Sequence, residues 1–109
     1  MEVIRLNLLD LVIKEYIGIV RILEKQSEIQ NNRIIIEREK FKEMLERYAY
    51  MTFAEKTKIY KALNLIIHDN NNYTMPYKDP ILKKTIRKVI INYKTYQTLK
   101  YLFETKINY

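Results

Sequence analysis

Apolar and polar positions change period several times along this chain, and each change marks an element. From about Glu2 to Glu28, apolar residues lie on nearly every side of a helical wheel: Ile4, Leu6, Leu8, Leu9, Leu11, Val12, Ile13, Ile17, Ile19, Val20, Ile22 and Leu23. Only Asn7, Asp10, Lys14, Gly18 and Arg21 form a narrow polar stripe. A helix of that kind needs cover on more than one flank. A second subunit is the favoured source, so a homodimer is expected; the alternative is a C-terminal helix wrapping the first within one chain. Gln30-Asn31-Asn32 breaks the pattern, and the three isoleucines within Arg33–Glu37 favour a short strand. From Arg38 to Tyr48 the helical period returns, with Phe41, Met44, Leu45 and Tyr48 on one side and Glu39, Lys42, Glu43 and Glu46 largely on the other.

The next helix has a start and a stop. Thr52 and Glu55 have the S/T-x-x-E spacing in which hydroxyl and carboxylate each satisfy an unpaired amide. Asn64 tolerates the left-handed conformation that ends many helices. Between them, Phe53, Ile59, Tyr60, Ala62 and Leu63 are expected inside, and Ala54, Thr57, Lys58 and Lys61 outside, with Asn64 at the end of that outer arc. Leu65-Ile66-Ile67 suits a strand, Asp69 to Asn72 a tight turn, and Tyr73-Thr74-Met75 the returning partner. Lys78-Asp79-Pro80 then reads as a helix start. Leu82, Ile86, Val89, Tyr93, Tyr96 and Phe103 form an alternating four-and-three seam, interrupted by Lys100, which predicts a long helix over 79–106. A competing reading makes Thr85–Tyr93 a strand, with Lys78–Lys84 as a basic hairpin tip. The helix is preferred.

The 109 residues, 48% hydrophobic and 30% charged, suit one domain over 1–109: a packing or dimerisation helix in 1–29, a central unit in 33–77 and the C-terminal helix. Without cysteine there is no disulfide and no thiolate chemistry. Asp10, Lys14, Glu15 and Arg21 interrupt the most apolar stretch, so no membrane span is expected. Met1-Glu2-Val3 does not open like a secretory signal, and a cytoplasmic chain is the expectation. The net charge of +7 is concentrated late: residues 1–72 hold 12 Lys and Arg against 11 acids, residues 73–109 hold 8 against 2. Such a one-signed region attracts polyanions.

Enzyme chemistry finds little footing. His68 is the single histidine and has no metal-ligand or catalytic partner at a recognised spacing. Glu37, Glu39, Glu43 and Glu46 alternate with basic residues, as on a solvated helix face, and one glycine rules out a glycine-rich phosphate loop. No cofactor, no metal and no catalytic residue is expected. The outer arc of the capped helix, by contrast, carries groups that suit a major groove: lysine for guanine or phosphate, threonine for a base or a thymine methyl, asparagine for adenine.

Taken together, REKFKEMLERY, TFAEKTKIYKA, the junction LNLI and the hairpin IIHDNNNYTMP resemble the winged helix-turn-helix superfamily of DNA-binding proteins. The resemblance implies a mainly α fold with a small β-hairpin or sheet and long N- and C-terminal helices. It also implies double-stranded DNA as partner, with the capped helix in the major groove and the hairpin on the backbone. Carried onto this sequence, the DNA-binding candidates are Thr57, Lys58, Lys61, Asn64, Asn70, Asn71 and Asn72. The wing tip lacks the usual basic anchor, so Lys78, Lys83, Lys84, Arg87 and Lys88 are expected to take over part of the phosphate binding. Members of this superfamily serve as small transcriptional regulators, and plasmid-borne ones of the TcpK kind bind a transfer origin. Either role, with protein partners in a larger nucleoprotein complex, is thereby implied. The alternative is a non-enzymatic helical module or inhibitor that binds an acidic protein.

Overall fold

The computed structural model describes the backbone of residues 2–107 and the side chains of residues 8–104. In chain order these form α1 (Glu2–Gln26), β1 (Arg33–Ile36), α2 (Arg38–Glu46), α3 (Phe53–Ala62), β2 (Ile66–Ile67), β3 (Met75–Lys78), β4 (Thr85–Asn92) and α4 (Tyr93–Ile107). The architecture is mixed α/β, four helices around a small antiparallel sheet. β4 organises that sheet. Its second half pairs with β1 (Ile34 opposite Ile91) and, on the other edge, with β2 (Ile66 opposite Ile91), while its first half pairs with β3 (Met75 opposite Lys88).

This arrangement corrects two sequence expectations. The segment 79–106 is not one helix: it is a turn, a strand and a shorter helix. Val89, Ile90 and Ile91 are buried in succession, which a strand covered on both faces allows and a one-sided helical seam does not. The second correction concerns the hairpin. Ile66–Ile67 and Met75 do not pair with each other across Asp69–Asn72; both pair with β4. A continuous ladder from Ile67 opposite Ile90 would put Asp69 opposite Lys88, yet Met75 stands there, so six residues are looped out. Eight residues of β4 offer more ladder bonds than a four-residue turn can arrange, and Asn70, Asn71 and Asn72 do not adopt the positive φ such a turn would use. Asn31 (φ 53°) and Asn32 (φ 60°) do adopt it, in a tight turn closed by reciprocal bonds between Gln30 and Arg33.

The core gathers aromatic rings from every layer. Tyr16 of α1 is buried, and its hydroxyl donates to the carbonyls of Leu65 and Asn92, both at 3.0 Å, where β2 begins and β4 ends. Its ring meets Tyr60 and Tyr96 edge-on. Burial pushes the Tyr16 and Tyr60 phenols well up.

The polar stripe of α1 faces outward at Lys14, Gly18 and Arg21, and Asp10 is half-buried; Asn7 lies outside the residues whose side chains are described. α4 packs on α1 and supplies cover from within the chain. Tyr93 and Tyr96 both donate to the Glu24 carboxylate, at 2.7 and 3.0 Å, and this bond pushes the Tyr93 phenol up to about 12. The helix that argued for a second subunit therefore finds much of its cover in its own chain. Tyr48, expected on the apolar side of α2, lies beyond its end and is exposed.

Candidate functional site

α3 is held at both ends by short-range bonds. The Thr52 hydroxyl accepts the Glu55 amide at 3.1 Å and donates to the Glu55 carboxylate at 2.8 Å. At the other end Asn64 takes φ 55°, and the amides of Asn64 and Leu65 donate to the carbonyls of Lys61 and Tyr60. That is the paired arrangement by which a left-handed residue closes a helix. Asn64 thus serves first as the stop of α3, although its side chain is exposed.

The inner face of α3 is rotated from the expected one. Phe53, Lys56, Thr57 and Tyr60 point inward, whereas Ala62 and Leu63 are exposed. The cause is Lys56, which has no exposed surface. Its ammonium pairs with Glu15 of α1 at 3.1 Å, donates to the carbonyls of Leu45 and Tyr48 at 2.6 and 2.7 Å, and lies 4.2 Å from the Tyr50 ring centroid. A buried ammonium needs such partners. Rotating Lys56 inward brings Thr57 with it: the hydroxyl is buried and donates to the Ala54 carbonyl at 3.0 Å. Thr57 is therefore not available to a ligand. The outward face is Ala54, Glu55, Lys58 and Ala62, with Lys61 half-buried at its border.

The loop 68–74 links α3 to the sheet. His68 Nε2 faces the Lys61 carbonyl at 3.2 Å and Nδ1 faces the Asp69 carbonyl at 2.7 Å. The Tyr73 ring packs against Phe53 and Phe41, 5.3 and 5.9 Å between centroids. Arg87 of β4 fastens the loop from the other side, donating to the Thr74 hydroxyl and carbonyl and to the Asp69 carboxylate. Arg87 is thus engaged within the fold, in bonds that compete with the phosphate contact expected of it. Asn70, Asn71 and Asn72 are exposed on this loop.

The hairpin that the chain does form joins β3 to β4, and residues 79–84 make its tip. The Asp79 carboxylate accepts the amides of Ile81 and Leu82 at 2.8 and 2.9 Å, as at a helix start. Those bonds, with help from Lys88, hold the carboxyl below the usual carboxylate range. The turn goes no further because Lys83 takes φ 55° and the Asp79 amide closes on the Lys84 carbonyl at 2.9 Å. Lys78, Lys83 and Lys84 are exposed around this tip, and Lys88 is half-buried with its ammonium 5.5 Å from the Tyr77 ring centroid.

No protein-family model matches this chain, and no curated protein matches it either. Geometry alone carries the functional reading.

That geometry brings Lys58, Lys61, Asn70–Asn72 and the tip lysines onto α3, the loop packed against it and the hairpin fastened to that loop. The tip also carries Ile81, which sequence reasoning passed over, and Leu82, which it placed in a packed helical seam. Ile81 is 87% exposed and Leu82 58% exposed. Their signal was an aliphatic pair inside a run of lysines, visible once Lys78–Lys84 is read as a tip. No helix among the described residues is long and apolar enough to cross a membrane.

Proposed function

We propose that this chain is a winged helix-turn-helix protein that binds double-stranded DNA, with α2 and α3 as the helix pair and the β3–β4 hairpin as the wing. The observation that supports this best is the sequence of elements after α2: a helix capped at both ends, then a sheet whose hairpin ends in three exposed lysines. Ala54 and Ala62 are small, which suits close approach of α3 to a groove floor. Lys58 is the side chain best exposed for a base or phosphate contact, with Lys61 beside it. Asn70–Asn72 and Lys78, Lys83 and Lys84 serve the backbone. Lys88 contributes charge from behind them, while Thr57 and Arg87 hold the fold.

Within this proposal the chain acts in the cytoplasm as a small regulator or as an accessory protein at a transfer or replication origin. As a homodimer it would use exposed apolar residues of α1 and α4, among them Leu11, Ile22 and Leu102; sedimentation of the free protein tests that part separately. The main test is duplex retardation across a salt series, using fragments pulled from host DNA. Affinity is expected to fall steeply with salt, and a recovered site should beat random duplex by more than about tenfold. Lys58→Ala should cost about 1–3 kcal/mol at that site and relax its specificity. Failure to retard any duplex at about 50 mM salt would sink the proposal and favour a module that binds an acidic protein.

A further inference from the structure

The β3–β4 tip combines three properties that a simple connection does not need. Ile81 stands almost fully in solvent at the far end of the hairpin, although serine or asparagine would serve a turn equally well. Its backbone is fixed, because the Asp79 carboxylate binds the Ile81 and Leu82 amides and the Asp79 and Lys83 amides close the loop on the Lys84 and Asp79 carbonyls. Leu82 beside it lines a shallow hollow with Arg38, Ile86, Arg87 and Lys88 and with the acids Glu37, Glu39 and Asp79. Lys78, Lys83 and Lys84 are exposed on the same tip.

We propose that the tip is a wedge for DNA: Ile81, with Leu82 beside it, enters the minor groove and parts two stacked base pairs while Lys78, Lys83 and Lys84 neutralise the flanking phosphates. This rests on the duplex-binding reading above and adds a bend to it. A base step is the occupant that fits, because it presents an apolar stack between two rows of phosphates, the complement of an aliphatic point between lysines. Aliphatic side chains that enter the minor groove unstack a step and kink the duplex toward the major groove. Flexible pyrimidine–purine steps open most easily. The fastening of loop 68–74 by Arg87 and by Tyr73 holds the tip and α3 in one frame, so both engage the same duplex.

The test is end-to-end energy transfer in a duplex of about 20–30 bp with a central TA step, one adenine replaced by 2-aminopurine. Wild-type protein should bring the ends together and raise the 2-aminopurine fluorescence severalfold. The double variant Ile81→Ser with Leu82→Ser should lose both signals and still bind, with an unchanged salt slope. Lys83→Ala with Lys84→Ala should keep the bend and lower the slope of log affinity against log salt by about 1.8. Because Ile81 is exposed, the serine variant should keep the wild-type circular dichroism. The 2-aminopurine signal of the wild-type protein tests the proposal even if that variant misfolds. Binding without bending, or a bend that survives in the serine variant, overturns the wedge and leaves duplex binding standing. Absence of binding to any duplex overturns both. Loss in the serine variant of sedimentation with phosphatidylserine vesicles, with duplex bending untouched, would assign the tip to a membrane surface and overturn the wedge as well.

Discussion

Lys56 and Ile81 both stand where their chemistry is least expected, the lysine without exposed surface and the isoleucine almost wholly in water. Their surroundings differ in one respect. Every partner of Lys56 is internal: Glu15 from α1, the Leu45 and Tyr48 carbonyls from the end of α2 and the turn after it, and the Tyr50 ring. One ammonium thereby joins three segments that meet at the helix pair. Around Ile81 only the backbone is fixed, through Asp79, and the side chain itself projects into solvent. A misplaced residue whose partners lie inside stabilises the fold; one that is positioned and left open points to a partner outside. The same distinction sorts the cations, since Arg87 resembles Lys56 and the tip lysines resemble Ile81.

The largest effect expected from this contrast is at Lys56. Lys56→Ala leaves Glu15 charged and buried and strips two carbonyls of their donor, at a cost of about 3–5 kcal/mol. That is much of the roughly 5–15 kcal/mol available to a domain of this kind. Urea unfolding followed by circular dichroism should show the loss as an earlier midpoint. Combining the change with Glu15→Ala should cost less than the two single changes together, because the second removes the charge the first had orphaned. Strict additivity would mean that the pair does not couple, and the contrast with Ile81 would lose its first half.

Arg87 gives a smaller and more pointed test. Its guanidinium and the Asp69 carboxylate are each more than a third exposed, so solvent screens their attraction, and the bonds to Thr74 supply most of the effect. Arg87→Ala should cost about 1–2 kcal/mol in the same unfolding assay. If Arg87 is confined to the fold, the salt slope of duplex binding should not change. A slope reduced by about 0.9 would instead count it among the phosphate contacts and blur the division between the two kinds of cation.

Sequence reasoning reaches the parts of this fold that depend on near neighbours. The two ends of α3 rest on bonds between Thr52 and Glu55 and between Tyr60 and Leu65, each within five residues, so composition and spacing reveal them. The strand at Arg33–Ile36 and the helix at Arg38–Glu46 follow from β-branching and period in the same way. The hairpin does not, because Met75 finds Lys88 across thirteen positions and Ile66 finds Ile91 across twenty-five. Asp79-Pro80 even makes the local bonds of a helix start; what diverts the chain is the Lys83 turn and a ladder waiting on either side. Among the candidate site residues, the exposure of Lys58, Asn70–Asn72 and the tip lysines follows from polarity. The loss of Thr57 and Arg87 depends on tertiary partners. A wheel drawn from period alone cannot see that Glu15, forty-one positions earlier, pairs with Lys56 and turns it inward.

The smallest effect expected is at Asp79, and it distinguishes a positioned wedge from a merely apolar tip. The Leu82 and Ile81 amides lower the Asp79 pKa from the usual 3.8, so the folded tip prefers the carboxylate. A depressed acid contributes stability above its unfolded pKa and loses it as the pH falls through the folded one. The contribution of Asp79 is therefore intact at neutral pH and disappears below about pH 3.8. Proton NMR of the Ile81 and Leu82 amides should show their hydrogen-bonded shifts persisting to below that value before the tip loosens. A titration midpoint at or above 3.8 would mean that the carboxylate does not hold the turn. Asp79→Ala should loosen the tip at neutral pH with Ile81 still exposed and with the unfolding midpoint nearly unchanged. If duplex bending is lost in that variant while binding persists, exposure of the isoleucine is insufficient and its placement is what parts the bases. If bending survives, the side chain acts as an apolar contact without a fixed direction, and the clasp at Asp79 belongs to the fold alone.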